Sequence, residues 1–261
     1  MCLAFLRYDP ADPWPVLLAS VRDEDLSRPT AEPGRWWPDV RAGAIGGRDL
    51  RSGGTWLVVD PYARQLVAVF TPGTPTPVDA TDLRSRGELP LRALVDPTLS
   101  WLDPVAYEPF ALLIADARSG HLVWWAWDRA TRLTRTVVQP GFHVGNIAGL
   151  DAVDDSPRQA RWAGAFAASV PDPFDAAGTV AQRWGGWLRH YDGALELESM
   201  DALLGRHDAE QGSYGTRSGA MVALPGDPGR TAVYDWSPTP WDTTTWSAAE
   251  ERLPQLSGSV D

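Results

Sequence analysis

Hydrophobic residues in the first half of the chain come in short runs of strand length, each closed by glycine, proline or aspartate. Residues 2–8 form an apolar, partly β-favouring run. The turn signal Asp9-Pro10-Ala11-Asp12-Pro13 follows, and a second run covers 16–20, which together predict a β-hairpin. Runs at 55–59, 66–71, 110–115, 121–127 and 134–138 share this length and punctuation, so strands dominate this half. The spacing then changes. Ala163, Phe166, Ala167 and Val170 fall at i, i+3, i+4 and i+7, and Ala177, Val180, Ala181, Trp184, Trp187 and Leu188 repeat that period, which predicts two amphipathic helices. A shorter helix is expected over 87–94, with Pro90 in a first turn where its missing N–H costs little. Strands return at 221–224 and 231–236, joined by Pro225-Gly226-Asp227-Pro228-Gly229, and the tail from about 238 reads as irregular.

Strands, then helices, then strands again is not a repeating βαβ order, so the pattern points to the α+β class, with mostly antiparallel sheets and helices packed on them. One segment adds layers. Val123-Trp124-Trp125-Ala126-Trp127 is apolar at odd and even positions alike. Alternate side chains of a strand face opposite ways, so both faces of its sheet need a cover. Two stacked sheets with helices outside supply both. The chain carries no internal repeat, heptad run or low-complexity tract, and 71–81, rich in proline and threonine, reads as a loop. A single domain over 1–261 is expected, since one core of this class still fills that length.

Composition narrows the partners. With 44% apolar and 22% charged residues the chain lies well inside the folded regime. A net charge of −11 repels phosphate backbones and anionic headgroups, which argues against nucleic acid. The lone cysteine, Cys2, rules out an internal disulfide and a multi-cysteine metal site, and a reducing, cytoplasmic location is the simpler expectation. The apolar run 3–6 is broken at once by Arg7, Tyr8, Asp9 and Pro10, so neither a signal-peptide core nor a membrane span is predicted. His121, His143, His190 and His207 lack metal-ligand spacing, and Asp151, Asp154 and Asp155 lack the glycine and glutamate of a calcium loop. No metal and no cofactor is expected. Fourteen tryptophans suit core packing first and a flat apolar ligand second.

The chemistry centres on Cys2. Removal of Met1 places a thiol and a free α-amine on one residue, and since the two titrate near about 8.5 and about 8, a proton passes between them at little cost. Val21-Arg22-Asp23-Glu24 follows the second strand of the hairpin, which brings it beside Cys2. There a cation favours thiolate and a carboxylate orients the amine.

Met1-Cys2 opening a strand, then Leu18-Ala19-Ser20-Val21-Arg22-Asp23-Glu24 and Ser27-Arg28-Pro29, resembles the opening of the NRDE, or Tango2-like, family. Gly53-Gly54-Thr55-Trp56-Leu57, Ser85-Arg86-Gly87-Glu88-Leu89 and Tyr214-Gly215-Thr216-Arg217-Ser218 resemble later segments of that family, in the same order. The resemblance implies the four-layer αββα sandwich of N-terminal-nucleophile hydrolases, whose cysteine members cleave non-peptide amides. It implies Cys2 as nucleophile, Arg22 and Asp23 as the Arg-Asp of the motif, and Arg217 as a second cation facing the sulfur. The family tends to carry Thr-Asn after the strand at 66–71, but here Pro72 follows Thr71 and has no N–H to donate, leaving Gly73 as a substitute. Asn146, in Pro140-Gly141-Phe142-His143-Val144-Gly145-Asn146, is the expected second donor to the tetrahedral oxygen. The implied partner is a small linear amide. The other reading is a non-catalytic carrier of haem, acyl-CoA or another lipid in the same cleft.

Overall fold

A computed structural model of the chain describes residues 2–72, 83–172, 174–209 and 212–249. Its strands are β1 (Leu3–Tyr8), β2 (Val16–Asp25), β3 (Thr30–Gly34), β4 (Ile45–Asp49), β5 (Leu57–Asp60), β6 (Gln65–Phe70), β7 (Phe110–Asp116), β8 (His121–Trp127), β9 (Thr134–Val137), β10 (Gly141–Asn146), β11 (Gly149–Leu150), β12 (Leu195–Leu197), β13 (Leu204–Ala209), β14 (Gly212–Leu224), β15 (Val233–Ser237) and β16 (Ser247–Ala248). The helices are α1 (Leu89–Val95), α2 (Pro157–Ala167) and α3 (Val180–Arg189).

Two sheets result, antiparallel except where β12 meets β13. The first runs β11-β10-β1-β2-β14-β13-β12, with β15 added beside β14 and β16 beside β15, and the second runs β3-β4-β5-β6-β7-β8-β9. The two-residue period of the strands sorts the side chains into layers. Ala4, Leu6, Leu18, Leu66, Leu113 and Trp124 meet between the sheets. Leu3, Phe5 and Met221 face the other way, against Phe166 of α2 and Trp184 and Trp187 of α3. Val67, Leu112 and Val123 turn outward from the second sheet onto Leu89 and Leu94 of α1. The order is therefore helix, sheet, sheet, helix, and the strand with both faces apolar is covered on both: Trp124 points between the sheets and Trp127 toward α1.

Local chemistry sets the helix starts. Ser156 caps α2 by accepting from the Gln159 N–H, and Thr179 and Gln182 form a reciprocal capping box at α3, which satisfies donors that a helix start leaves unpaired. Both helices begin at these caps rather than at the first apolar residue of the period.

The expected hairpin forms, with Leu3 opposite Val21 and Tyr8 opposite Val16. Strand β2, however, continues five residues past Ser20 to Asp25. Its partner β14 is the cause. Thirteen residues long, it pairs with β2 from Leu224↔Val16 to Tyr214↔Asp25, so Arg22, Asp23 and Glu24 belong to the strand rather than following it. The register shifts between Thr216 and Ser218, which leaves Arg217 as the extra residue of a β-bulge opposite Arg22 and Asp23. Beyond Pro238 the chain makes a 3-10 turn at Thr243–Thr245 and then β16, which pairs with β15. Among the described residues no helix is long and apolar enough to cross a membrane.

Candidate active site

Cys2 stands immediately before β1, and since Leu3 faces Val21 across the hairpin, its neighbours on β2 are Arg22 and Asp23. It is half-buried against the layer between the sheets. It lines a chamber of about 200 Å³ whose wall also includes Arg22, Glu24, Trp56, Arg86 and Tyr214. Burial pushes the thiol pKa up, and the Asp23 carboxylate adds to the rise. The Arg22 guanidinium and the Asp23 backbone N–H, which bonds the sulfur, oppose it.

Asp23 is held from two elements. Its Oδ2 pairs with Nη1 of Arg158, from α2, and its Oδ1 accepts from Thr216 Oγ1 at 2.7 Å. Arg158 also donates to the Leu203 carbonyl, and the Tyr214 hydroxyl donates to the Asp23 carbonyl at 3.0 Å. A carboxylate so fixed is held in one orientation.

Arg22 is 4% exposed. Its guanidinium lies over the Trp56 ring at 3.9 Å, and Nη2 is 3.3 Å from Glu24 and 4.0 Å from Asp49, so a buried cation gains a π-face and two carboxylates. Asp49 in turn takes Arg28 Nε at 2.5 Å and the N–H groups of Arg51 and Ser52 at 2.9 and 3.0 Å. Burial works against its ionisation, but the Arg28 bond and those N–H donors outweigh it and hold the carboxyl below its ordinary range.

Of the residues singled out in the sequence, Cys2, Arg22 and Asp23 come together. Arg217 does not join them: its Nη1 donates to the Leu26 carbonyl at 2.8 Å, and its Nη2 reaches Thr30 Oγ1 at 3.4 Å and the Arg28 carbonyl at 3.5 Å. It lines a separate cavity of about 400 Å³ on the far side of Arg22 and Trp56. The bulge re-aims it, since an inserted residue falls out of the alternation that points its neighbours. Asn146 also lies off the chamber wall. Its Nδ2 donates to Ser156 Oγ at 2.8 Å, and its Oδ1 accepts from Gln159 Nε2 and the Ala148 N–H, both at 2.9 Å, so it ties β10 to the start of α2. Thr71 and Pro72 do line the chamber, while Gly73 falls outside the described residues.

A third guanidinium at the chamber, beside those of Arg22 and Arg28, is that of Arg86. In the sequence it and Tyr214 stand out only within segments that resemble the family. Arg158 carried no sequence signal, because an arginine on a helix announces no partner 135 residues away. A third cavity, apolar and of about 440 Å³, shares Asp23, Pro72 and Tyr214 with the chamber and reaches Ile147, Met200 and Ala202. Among the described residues no cluster of three or more His, Cys, Asp or Glu is placed to hold a metal.

The sequence profile of the family described as Transport and Golgi organisation 2 matches residues 1–163. A solved structure, that of the Caenorhabditis elegans N-acylethanolamine-hydrolyzing acid amidase (NAAA) ortholog, aligns over 87% of this chain and 94% of its own, with a TM-score of 0.45 and 11% identity. No curated protein matches the sequence.

Proposed function

The chain belongs to the Transport and Golgi organisation 2 family, and from that premise we propose that it hydrolyses a linear, non-peptide amide with Cys2 as the nucleophile. The observation that carries this reading is the placing of the only cysteine at a chamber wall between a buried guanidinium, Arg22, and a carboxylate fixed from two sides, Asp23.

Loss of Met1 gives Cys2 a free α-amine. That amine takes the thiol proton, and the sulfur attacks the amide carbonyl. As the tetrahedral intermediate collapses, the C–N bond breaks and the α-ammonium returns its proton to the leaving nitrogen. Water then cleaves the thioester, with the amine as base, so that amide and water become a carboxylic acid and an amine. Asp23 fixes the α-amine. Arg22, clamped over Trp56, supplies positive charge in place before the tetrahedral oxygen forms, which is where preorganised electrostatics contribute most.

The second reading, a carrier of an apolar acyl ligand or haem, is favoured by the cavity of about 440 Å³ with its apolar lining. Cys2→Ala separates the two. In the hydrolase reading turnover of acylated amines falls by more than about a thousandfold, while the thermal midpoint moves little. A carrier keeps its haem or acyl-CoA affinity after that change and hydrolyses nothing before it. Intact mass comes first, since retention of Met1 on the purified protein ends the α-amine mechanism.

A further inference from the structure

The charges around Cys2 are unequally matched. Arg28 and Arg22 lie within 4.0 Å of Asp49 and Glu24. Arg86 is different. Among the described residues its guanidinium makes one hydrogen bond, Nη1 to the Pro109 carbonyl at 3.0 Å, and no carboxylate stands within ion-pair distance of it. Glu108 and Glu24 act on it only at longer range, against a burial that disfavours its charge. A guanidinium carries five N–H donors in a planar fork, so most of this one's capacity is unspent on a wall it shares with Cys2.

The backbone that carries the fork is also held in place. Arg86 opens a 3-10 turn capped by Ser85, whose hydroxyl accepts from Gly87 N–H at 3.2 Å, and the Gly87 carbonyl accepts from Thr55 N–H at 2.8 Å. Gly54 packs so closely on this turn that an added Cβ would meet the Gly87 carbonyl at 2.4 Å. The turn is fastened to the chamber wall, and its arginine is presented rather than tethered.

The apolar cavity shares Asp23, Pro72 and Tyr214 with the chamber that Cys2 lines. A substrate lying along those shared residues would put its apolar half in that cavity and its scissile carbonyl at Cys2, which leaves its other half in the polar chamber with Arg86. We infer that Arg86 recognises a carboxylate on the amine half of the substrate, so that the favoured substrates are amides of an apolar acyl group with an amino acid. This rests on the hydrolase reading and names the leaving group. The chain's net charge of −11 repels such an anion at long range, so selectivity has to come from contact at short range, where a bidentate arginine–carboxylate pair is strong.

The test compares N-decanoylglycine with N-methyldecanamide on the protein lacking Met1. Wild type should favour the glycine conjugate by roughly tenfold or more in kcat/KM, as expected for one charge-assisted bidentate contact. In Arg86→Gln that ratio should fall to about one, chiefly through KM. Arg86→Lys, which keeps the charge but not the fork, should lie between. A ratio unchanged in Arg86→Gln overturns the assignment and leaves the hydrolase reading standing. If wild type cleaves neither compound the hydrolase reading fails, and binding of N-decanoylglycine, followed by tryptophan fluorescence, then decides. Binding weakened roughly tenfold in Arg86→Gln sustains Arg86 as the anion site, and equal affinity refutes it.

Discussion

Two carboxylates of the first sheet are tied to its outer helices in almost the same way. Asp235, on β15, is fully buried and takes Arg183 of α3 in two bonds, 2.6 Å at Oδ1 and 3.0 Å at Oδ2, with Trp184 Nε1 at 2.6 Å. Asp23, on β2, is 9% exposed and takes Arg158 of α2 and the Thr216 hydroxyl. Burial, an ion pair and one neutral donor are common to both. What differs is the surroundings: Asp23 lies at the end of the hairpin beside a thiol and a chamber, whereas Asp235 sits along the middle of β15, opposite Met221 of β14. A buried ion pair therefore says only that helix and sheet are pinned together. The claim on chemistry comes from the nucleophile next to it.

The comparison breaks most visibly at Asp235. Asp235→Ala strands a buried guanidinium and the Trp184 N–H, and removing one partner of such a pair costs about 3–5 kcal/mol, a fall of roughly 10 °C in thermal midpoint for a chain of this size. The iodoacetamide reactivity of Cys2 should stay the same in whatever fraction remains folded. A change in that reactivity would mean that the two tethers are coupled and the contrast is false.

Asp23→Asn is a smaller lesion with a wider readout. The amide still accepts from Thr216 but gives Arg158 no countercharge, for a cost of about 2–3 kcal/mol. The Asp23 carboxylate helps to raise the Cys2 thiol pKa, so neutralising it must lower that pKa and move the alkylation midpoint to lower pH. More thiolate is then present at neutral pH. Turnover should nevertheless fall by about a hundredfold or more, because the α-amine has lost the group that orients it. A faster enzyme, or an unmoved midpoint, would remove Asp23 from the mechanism.

The hairpin, the doubly covered β8 and the helical periods of α2 and α3 were legible because a repeating pattern of large apolar residues reports which face is buried. Strands β3, β4, β10 and β13 were not. Ile45-Gly46-Gly47-Arg48-Asp49 and Leu204-Gly205-Arg206-His207-Asp208-Ala209 carry too few apolar side chains to show a period, and pair because neighbouring strands offer them partners. At the site, Cys2, Arg22 and Asp23 could be read as neighbours because one hairpin joins them. Arg217 could not be placed, since a bulge leaves no mark on residue types. Nor could Asn146, whose hydrogen bonds to Ser156 and Gln159 depend on how α2 packs against β10.

The narrowest test of the contrast is Thr216→Val, which keeps the shape of a buried side chain and deletes one hydroxyl. Thr216 Oγ1 donates to Asp23 Oδ1 at 2.7 Å and accepts from the Gly205 N–H at 3.0 Å, so the change removes one bond to a charged acceptor and leaves a backbone donor unmatched. That costs about 1–2 kcal/mol, less than either carboxylate change, because the pair with Arg158 survives. The effect on the thiol should have the opposite sign to that of Asp23→Asn. A carboxylate relieved of one donor bears more on its neighbour, so the alkylation midpoint should move up in pH and turnover should drop by only about threefold to tenfold. Movement of the midpoint in the same direction for both variants would show that the thiol responds to loosening of the strand pair β2–β14, and not to the charge on Asp23.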